Sequence, residues 1–286
     1  MSTKPLSWPR NNRIAVAVTV MYEAWSEGGA PTYSVQTTHL KPGTPDYAGA
    51  AWSTYGGRVG VWRILRTFER LGVPATFFVN ARCAELYPDS ITEIARAGHD
   101  IGGHGYTQDG LLAYMTPEEQ QATIRKCADI LGTKSGKRPS GWLSPVLAFT
   151  PQTVEFLAAE KFQWQADVTY TDLPHRVMTR HGPIACVPNS DFTDNRTLRT
   201  NPQDLYDVYT GTFDYLYQNE PMSLLVMTLH CHFGGRPMVT QVFERIVKYI
   251  QRFPGVWFAR HHELASWALE QSQDDHPYRS RYPAGR

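Results

Sequence analysis

Short apolar segments alternate with amphipathic segments along almost the whole chain, and this alternation most constrains the fold. The first apolar segment, residues 14–21 (IAVAVTVM), is rich in β-branched residues, which is typical of a buried parallel strand. Residues 58–71 have helical spacing, and residues 75–79 predict the next strand. The same order recurs as far as a last helix at residues 262–271. Seven or eight such units favour a (β/α) barrel over a doubly wound sheet.

Composition argues against several classes of protein. The 286 residues include 28 Lys and Arg against 27 Asp and Glu, a net charge of +1, so neither nucleic acid nor a membrane surface is an expected partner. The longest apolar run, near residues 14–22, is too short to cross a bilayer. Residues 1–13 lack the apolar core of a secretory signal, and the four cysteines occur singly without a CxxC pair.

These observations predict a reduced, cytoplasmic enzyme. We expect one catalytic barrel at residues 1–273 and a flexible tail at 274–286. The segment at residues 24–55 is long, irregular and rich in Gly, Pro, Ser and Thr. We expect it to close over the rim of the barrel or over the rim of a neighbouring subunit. The glycines at residues 56–60 lack the spacing of a dinucleotide-binding loop and are interpreted as the lead into a helix.

Polar residues recur where the predicted strands end, which is where catalytic residues lie in a barrel. Glu23 follows the first strand directly, and His230 ends a clean apolar strand at residues 224–230. An acid placed immediately after an apolar strand is costly to bury without a function. Histidine titrates near neutrality, which suits proton transfer to a leaving nitrogen. The other polar residues at this predicted rim are His104, Ser144, Asp167, Asp172, Asp191, Asp194 and His232.

Five segments carry a family likeness, in the order 14–23 (IAVAVTVMYE), 103–108 (GHGYTQ), 138–145 (RPSGWLSP), Asp167 with 172–174 (DLP), and 229–230 (LH). They resemble the five motifs of the NodB-type polysaccharide deacetylases, carbohydrate esterase family four, over residues 14–269. Residues 55–62 (YGGRVGVW) and 230–237 (HCHFGGRP) resemble the branch that contains peptidoglycan-deacetylase-like proteins, a metal-independent allantoinase and cyclic imide hydrolases.

The resemblance implies a deformed (β/α) barrel of about seven strands that hydrolyses a carbon–nitrogen bond outside peptides. It implies that His230 is the general acid and that the chain forms a homodimer or homotetramer. Arg138 is expected to pair with a carboxylate at the rim, and Trp25 and Trp142 to line the pocket. The full set of expected substrate-binding residues is Tyr22, Trp25, Arg138, Trp142, Ser144, Asp167, Asp172 and His232.

Two departures from the family pattern leave the mechanism open. The deacetylases have two acids in their first motif, whereas Glu23 stands alone here, after Tyr22. The second metal histidine is replaced by Gln108, a weak ligand, and Asp109 follows it. One alternative is a divalent metal, zinc above all, held by Glu23, His104 and Asp109. The other is metal-independent chemistry in which Glu23 activates water.

The sequence therefore predicts hydrolysis of a small amide, cyclic imide or ureide, with Glu23 and His230 as the acid–base pair. A cyclic imide is more electrophilic than an acetamide, so it would suffer less from the loss of a metal ligand. Two alternatives remain at this point. One is a metal-dependent polysaccharide or peptidoglycan N-deacetylase, and the other is a degenerate family member that only binds a ligand.

Overall fold

The computed structural model describes residues 6–34, 40–41, 43–197, 201–271 and 278. One mixed sheet runs through this part of the chain in the order β6-β7-β5-β4-β3-β2-β1-β8, and β9 pairs with the first half of β1. All pairings are parallel except β6 with β7, and the sheet curls into an open half-barrel. The strands are β1 Ile14–Tyr22, β2 Thr76–Val79, β3 Asp100–Gly103, β4 Gly141–Trp142, β5 Trp164–Val168, β6 His175–Thr179, β7 Gly182–Pro188, β8 Ser223–His230 and β9 Val256–Ala259.

Helices connect most successive strands and pack on the outer face of the sheet, except α11, which packs with the interior-facing residues of β1 and β7. The long helix α5 begins with a capping box in which Thr116 and Glu119 exchange hydrogen bonds. The helices are α1 Tyr47–Tyr55, α2 Val61–Leu71, α3 Ala81–Leu86, α4 Pro88–Arg96, α5 Pro117–Ser135, α6 Thr153–Ala159, α7 Asp194–Thr197, α8 Pro202–Asn219, α9 Cys231–Gly234, α10 Pro237–Ile250 and α11 His261–Glu270.

Strand β1 is buried on both faces, and its alternation decides which side chains can reach the site. Val18, Val20 and Tyr22 pack against the outer helices, whereas Ala17 and Met21 face the interior of the half-barrel. Because side chains alternate along a strand, the residue after Tyr22 continues the interior face. The register therefore directs Glu23 into the mouth of the half-barrel and Tyr22 away from it.

Most of the predicted elements are confirmed, and the deformed-barrel fold is correct. The prediction was wrong for residues 24–55, which contain helix α1 in addition to irregular chain. It also missed β6, which forms an antiparallel hairpin with β7 and is half-exposed. Strand β6 begins with His175 and Arg176 and has only two apolar residues, Val177 and Met178, so it lacks the apolar run that marks a buried strand.

The glycines after α1 allow a close approach between two helices. Residues Gly56–Gly60 form a turn of π-helix that joins α1 to α2, as a helix lead-in should. A Cβ atom on Gly60 would lie 1.9 Å from the carbonyl oxygen of Cys231 in α9. This packing holds α9 directly behind the end of β8.

The expected tail at 274–286 lies outside the described residues, except for Tyr278. The division into one barrel at 1–273 and a tail stays a prediction. None of the helices in the described ranges is both long and apolar enough to cross a membrane.

Candidate active site

The carboxylate of Glu23 lies at the centre of a ring of three imidazoles. Its Oε1 lies 3.7 Å from His104 Nε2 and 3.8 Å from His230 Nε2, and its Oε2 lies 3.7 Å from His232 Nδ1. All four side chains are buried, with at most 9% of any of them exposed. Three of the strand ends picked out in the sequence, together with His232, thus converge on one point.

The three histidines are positioned by different kinds of local structure. His104 follows β3 and His230 ends β8, as the strand-end argument requires. Alternation along a continued strand would place His232 on the same face as His230. The strand stops at His230 instead, and the single turn of helix α9 brings His232 back toward Glu23.

The three imidazoles around Glu23 keep its carboxylate ionised. Burial acts to raise the pKa of Glu23, but the positive charge of His230 and the nearby His104 and His232 outweigh this effect. Together they lower the pKa to about 2. Glu23 is therefore a carboxylate at neutral pH and acts only as an acceptor of protons and hydrogen bonds.

His230 is held as a proton donor by Asp194. Asp194 Oδ1 lies 2.6 Å from His230 Nδ1, and its Oδ2 accepts the backbone N–H of the same residue at 2.8 Å. Burial acts to lower the pKa of His230, but Asp194 and Glu23 overcome it and raise the pKa. With Nδ1–H bonded to Asp194, the Nε2–H of His230 points toward Glu23. Asp194 was not among the predicted site residues, although it stood in the sequence as an acid at the rim.

His104 is fixed by the backbone around it. Its Nδ1 lies 2.7 Å from the carbonyl oxygen of Leu143, so the ring donates there and leaves Nε2 toward Glu23. Asn80, after β2, accepts the N–H of Ala24 at 3.0 Å and donates to the carbonyl oxygen of His104. Asn80 thus ties together the ends of two strands that carry site residues. The sequence offered no signal for it beyond its position after an apolar strand.

A buried carboxylic acid, Asp167, lies beside the group of imidazoles around Glu23. Asp167 accepts hydrogen bonds from the backbone N–H and the hydroxyl of Ser144, both at 2.7 Å, and Trp142 Nε1 donates to the same hydroxyl at 3.1 Å. Burial raises the pKa of Asp167 to about 6, against the opposing effect of the Ser144 hydrogen bonds and of His104. Ser144, Asp167 and Trp142 therefore form a supporting network near His104, with Asp167 close to its titration range.

Three expected substrate-binding residues lie elsewhere. Tyr22 is fully buried among the outer helices, and its hydroxyl lies 2.8 Å from that of Ser90, so that prediction was wrong. Arg138 is half-exposed and pairs with Asp129 and Glu160 on the helical layer, so it does not pair with a carboxylate at the rim. Asp172 is exposed on the segment between β5 and β6.

Aromatic side chains from the segment after β1 surround His232. The ring centroids of Trp25 and Trp52 lie 5.4 and 5.2 Å from that of His232, each edge to face. Tyr33 reaches further inward, with its hydroxyl 2.9 Å from His232 Nε2. The expected pocket role of Trp25 fits this position. The sequence reasoning missed Tyr33 because the irregular segment gave no period from which to place its side chains.

The donor set expected for a metal is incomplete. Two of the three expected ligands lie together. His104 Nε2 is buried without a hydrogen-bond partner and faces the carboxylate of Glu23. The third expected ligand, Asp109, is exposed and accepts hydrogen bonds from the N–H and hydroxyl of Ser26 instead. Gln108 contributes only a neutral amide, and the described residues hold no group of three His, Cys, Asp or Glu side chains arranged to hold a metal ion. These residues do not fit the expected metal site.

Comparison with known proteins finds similarity to one family. The family model described as polysaccharide deacetylase matches residues 53–164. A peptidoglycan deacetylase of Helicobacter pylori is 23% identical over 254 residues, which cover 76% of this chain and 86% of that protein. A probable polysaccharide deacetylase from Pseudomonas aeruginosa PAO1 superposes with a TM-score of 0.82 at 28% identity, over 93% of this chain and 94% of that one.

In sequence and in fold, the chain is similar to the polysaccharide deacetylase family. Within this NodB-type fold, PuuE allantoinase superposes with a TM-score of 0.80 and 28% identity, over 93% of this chain and 94% of that one. The family consists of hydrolases that act on carbon–nitrogen bonds. These similarities agree with the resemblance found in the sequence and support hydrolysis as the general activity. They leave the substrate to be argued from the site.

Proposed function

We propose that this protein hydrolyses a carbon–nitrogen bond of a small cyclic imide, ureide or amide without a metal ion. The observation that carries the proposal is the single ionised carboxylate of Glu23, which faces three imidazole nitrogens at 3.7–3.8 Å. A base and an acid at this separation can act on one water molecule and one leaving group between them.

The reaction begins with attack by water on the substrate carbonyl. Glu23 accepts a proton from the water as its oxygen bonds to the carbonyl carbon. His230 then gives its Nε2 proton to the leaving nitrogen, and the carbon–nitrogen bond breaks. Asp194 stabilises the charged imidazolium before this step and fixes the tautomer throughout. Return of the proton from Glu23 to His230 restores the starting state.

The two proton transfers are coupled through charge. The positive charge of His230 is a principal cause of the lowered pKa of Glu23. As His230 loses its proton to the leaving nitrogen, that charge disappears and Glu23 holds its new proton more firmly. The arrangement therefore favours concerted movement of both protons over either one alone.

Two features support a small, activated substrate. The incomplete donor set around His104 provides no Lewis acid for a stable acetamide, whereas an imide carbonyl is already electrophilic. The similarity in fold to PuuE allantoinase is consistent with this class of substrate.

The proposal is tested with purified protein and a panel of succinimide, hydantoin, allantoin and N-acetylglucosamine oligomers, each with and without added Zn²⁺. We expect turnover of a cyclic substrate without zinc, lost in Glu23→Gln. Glu27→Gln, in the same segment, is the matched control and should retain activity. Turnover of the oligomers alone, and only with zinc, would instead establish the N-deacetylase alternative. Binding without turnover in every condition would indicate a non-catalytic protein.

A further inference from the structure

Tyr33 places a phenol inside the ring of catalytic side chains. Its hydroxyl lies 2.9 Å from His232 Nε2 and 3.4 Å from Glu23 Oε2. The side chain comes from the segment that follows β1, and part of its ring stays exposed while the hydroxyl points inward. Asn195, next to Asp194 on α7, also hydrogen-bonds to the phenol. The hydroxyl is thus held by groups from three separate elements.

The position of the phenolic hydrogen follows from its neighbours. His232 is completely buried, and a neutral imidazole carries its one proton on a single ring nitrogen. Its Nδ1 faces the Glu23 carboxylate at 3.7 Å, and a lone pair there would be repelled by the negative charge. The proton therefore resides on Nδ1, and Nε2 accepts a hydrogen bond from the Tyr33 hydroxyl.

The phenol also keeps its proton. Burial raises the pKa of Tyr33 well above its ordinary value, and the negative charges of Glu23 and Asp194 raise it further. A neutral O–H is a hydrogen-bond donor at every working pH. In the resting site it has two acceptors, His232 Nε2 at 2.9 Å and Glu23 Oε2 at 3.4 Å. The nearer one is a neutral nitrogen, which is a weaker acceptor than an oxyanion.

We propose that Tyr33 donates its O–H to the carbonyl oxygen of the substrate and stabilises the negative charge that develops on that oxygen during water attack. This inference rests on the proposed hydrolysis. On substrate binding the hydrogen bond moves from His232 Nε2 to the substrate oxygen, and no proton is transferred. Tyr33 thereby supplies the oxyanion stabilisation that a bound metal would give elsewhere. It is a catalytic residue, since it touches the reacting carbonyl.

The first test is Tyr33→Phe, which keeps the ring and removes only the hydroxyl. Tyr47→Phe, whose side chain is exposed on α1, is the matched control. With the cyclic substrate that the wild-type protein turns over fastest, we expect Tyr33→Phe to lower kcat by about 10²–10³-fold, the usual effect of one oxyanion donor. KM should change little, and Tyr47→Phe should match the wild type. An unchanged kcat with a raised KM would show that Tyr33 serves only to close the segment, and would overturn the inference.

A thioimide analogue separates an oxyanion role from a general structural role. Sulfur accepts hydrogen bonds weakly, so the rate ratio of wild type to Tyr33→Phe should shrink toward one with this substrate. An equal ratio for oxygen and sulfur substrates would contradict the proposal. If Glu23→Gln keeps full activity, the proposed acid–base mechanism fails. If Glu23→Gln is inactive and Tyr33→Phe is fully active, only the present inference fails.

Discussion

Asp194 contacts His230 through both of its carboxylate oxygens, one on the ring nitrogen Nδ1 at 2.6 Å and one on the backbone N–H at 2.8 Å. The double contact fixes the position of the imidazole as well as its protonation. Asp194 is completely buried, at the start of the short helix α7. The proton donor of the site therefore depends on a residue 36 positions away in sequence.

Replacing Asp194 by Asn should weaken the general acid. The raised pKa of His230 depends first on Asp194 among its charged neighbours, so the variant should lose the imidazolium at lower pH. We expect kcat to fall by about 10²–10⁴-fold, the usual contribution of general acid–base catalysis. The basic limb of the pH–kcat profile should move to lower pH. Asp191→Asn, at an exposed neighbouring acid, is the control, and an unmoved limb in Asp194→Asn would contradict this role.

Metal removal should leave the activity intact. Asp109, the third expected ligand, is bonded to Ser26, and the described residues hold no group of three His, Cys, Asp or Glu side chains arranged to hold a metal ion. After exhaustive dialysis against EDTA, we expect unchanged kcat with the cyclic substrate. Elemental analysis should find far less than one metal ion per chain. Loss of activity that returns with zinc would show that the site rearranges around a metal.

Gly60→Ala should disturb the helix that carries His232. The new Cβ would lie 1.9 Å from the carbonyl oxygen of Cys231, an overlap that backbone atoms cannot relieve locally. We expect a loss of about 1–3 kcal/mol in the free energy of unfolding, with reduced kcat. Gly211→Ala, in α8 where a Cβ meets nothing within 4 Å, should be neutral or stabilising. The measurement is the free energy of unfolding in urea for both variants, together with kcat. Equal stability of the two variants would contradict the prediction.

Tyr22→Phe should affect stability and spare catalysis. The hydroxyl of Tyr22 is buried and bonded to Ser90, away from the site. Its loss should cost about 1 kcal/mol of unfolding free energy, the usual net contribution of one hydrogen bond. The kcat and KM values should equal those of the wild type. A fall in kcat without loss of stability would restore the substrate-binding role expected from the sequence.

His261 should make stability fall in mild acid. It stacks against Trp164 in the interior, and burial lowers its pKa to about 4, against an ordinary value of 6.5. Between these values the unfolded chain binds the proton and the folded chain does not. This contribution, up to about 3 kcal/mol, is present above pH 6.5 and is lost as the pH falls toward 4.

The measurement is the free energy of unfolding in urea at pH 7 and pH 5. His261→Gln should show a smaller drop between the two than the wild type. His181→Gln, at an exposed histidine, should show the full drop. Equal drops in all three proteins would assign the acid sensitivity to other groups.

Much of the fold could be predicted because apolar periodicity is local. The run at β1 and the capping box at Thr116 each act over a few residues, so the sequence shows them directly. Strand β6 could not be predicted in this way. Its polar residues are accommodated by pairing with β7, which is a tertiary contact.

The sequence by itself determined that acids and histidines would meet at one edge of a parallel sheet. Glu23, His104 and His230 follow apolar strands, and parallel strands end at the same rim. Only the tertiary structure decided the partners of these residues. Asp194 and Tyr33 reach the site through segments without periodicity. The alternation of side chains along β1 directs Tyr22 toward the outer helices. Hydrogen bonds between residues distant in sequence depend on how the sheet curls, and no local pattern encodes that curvature.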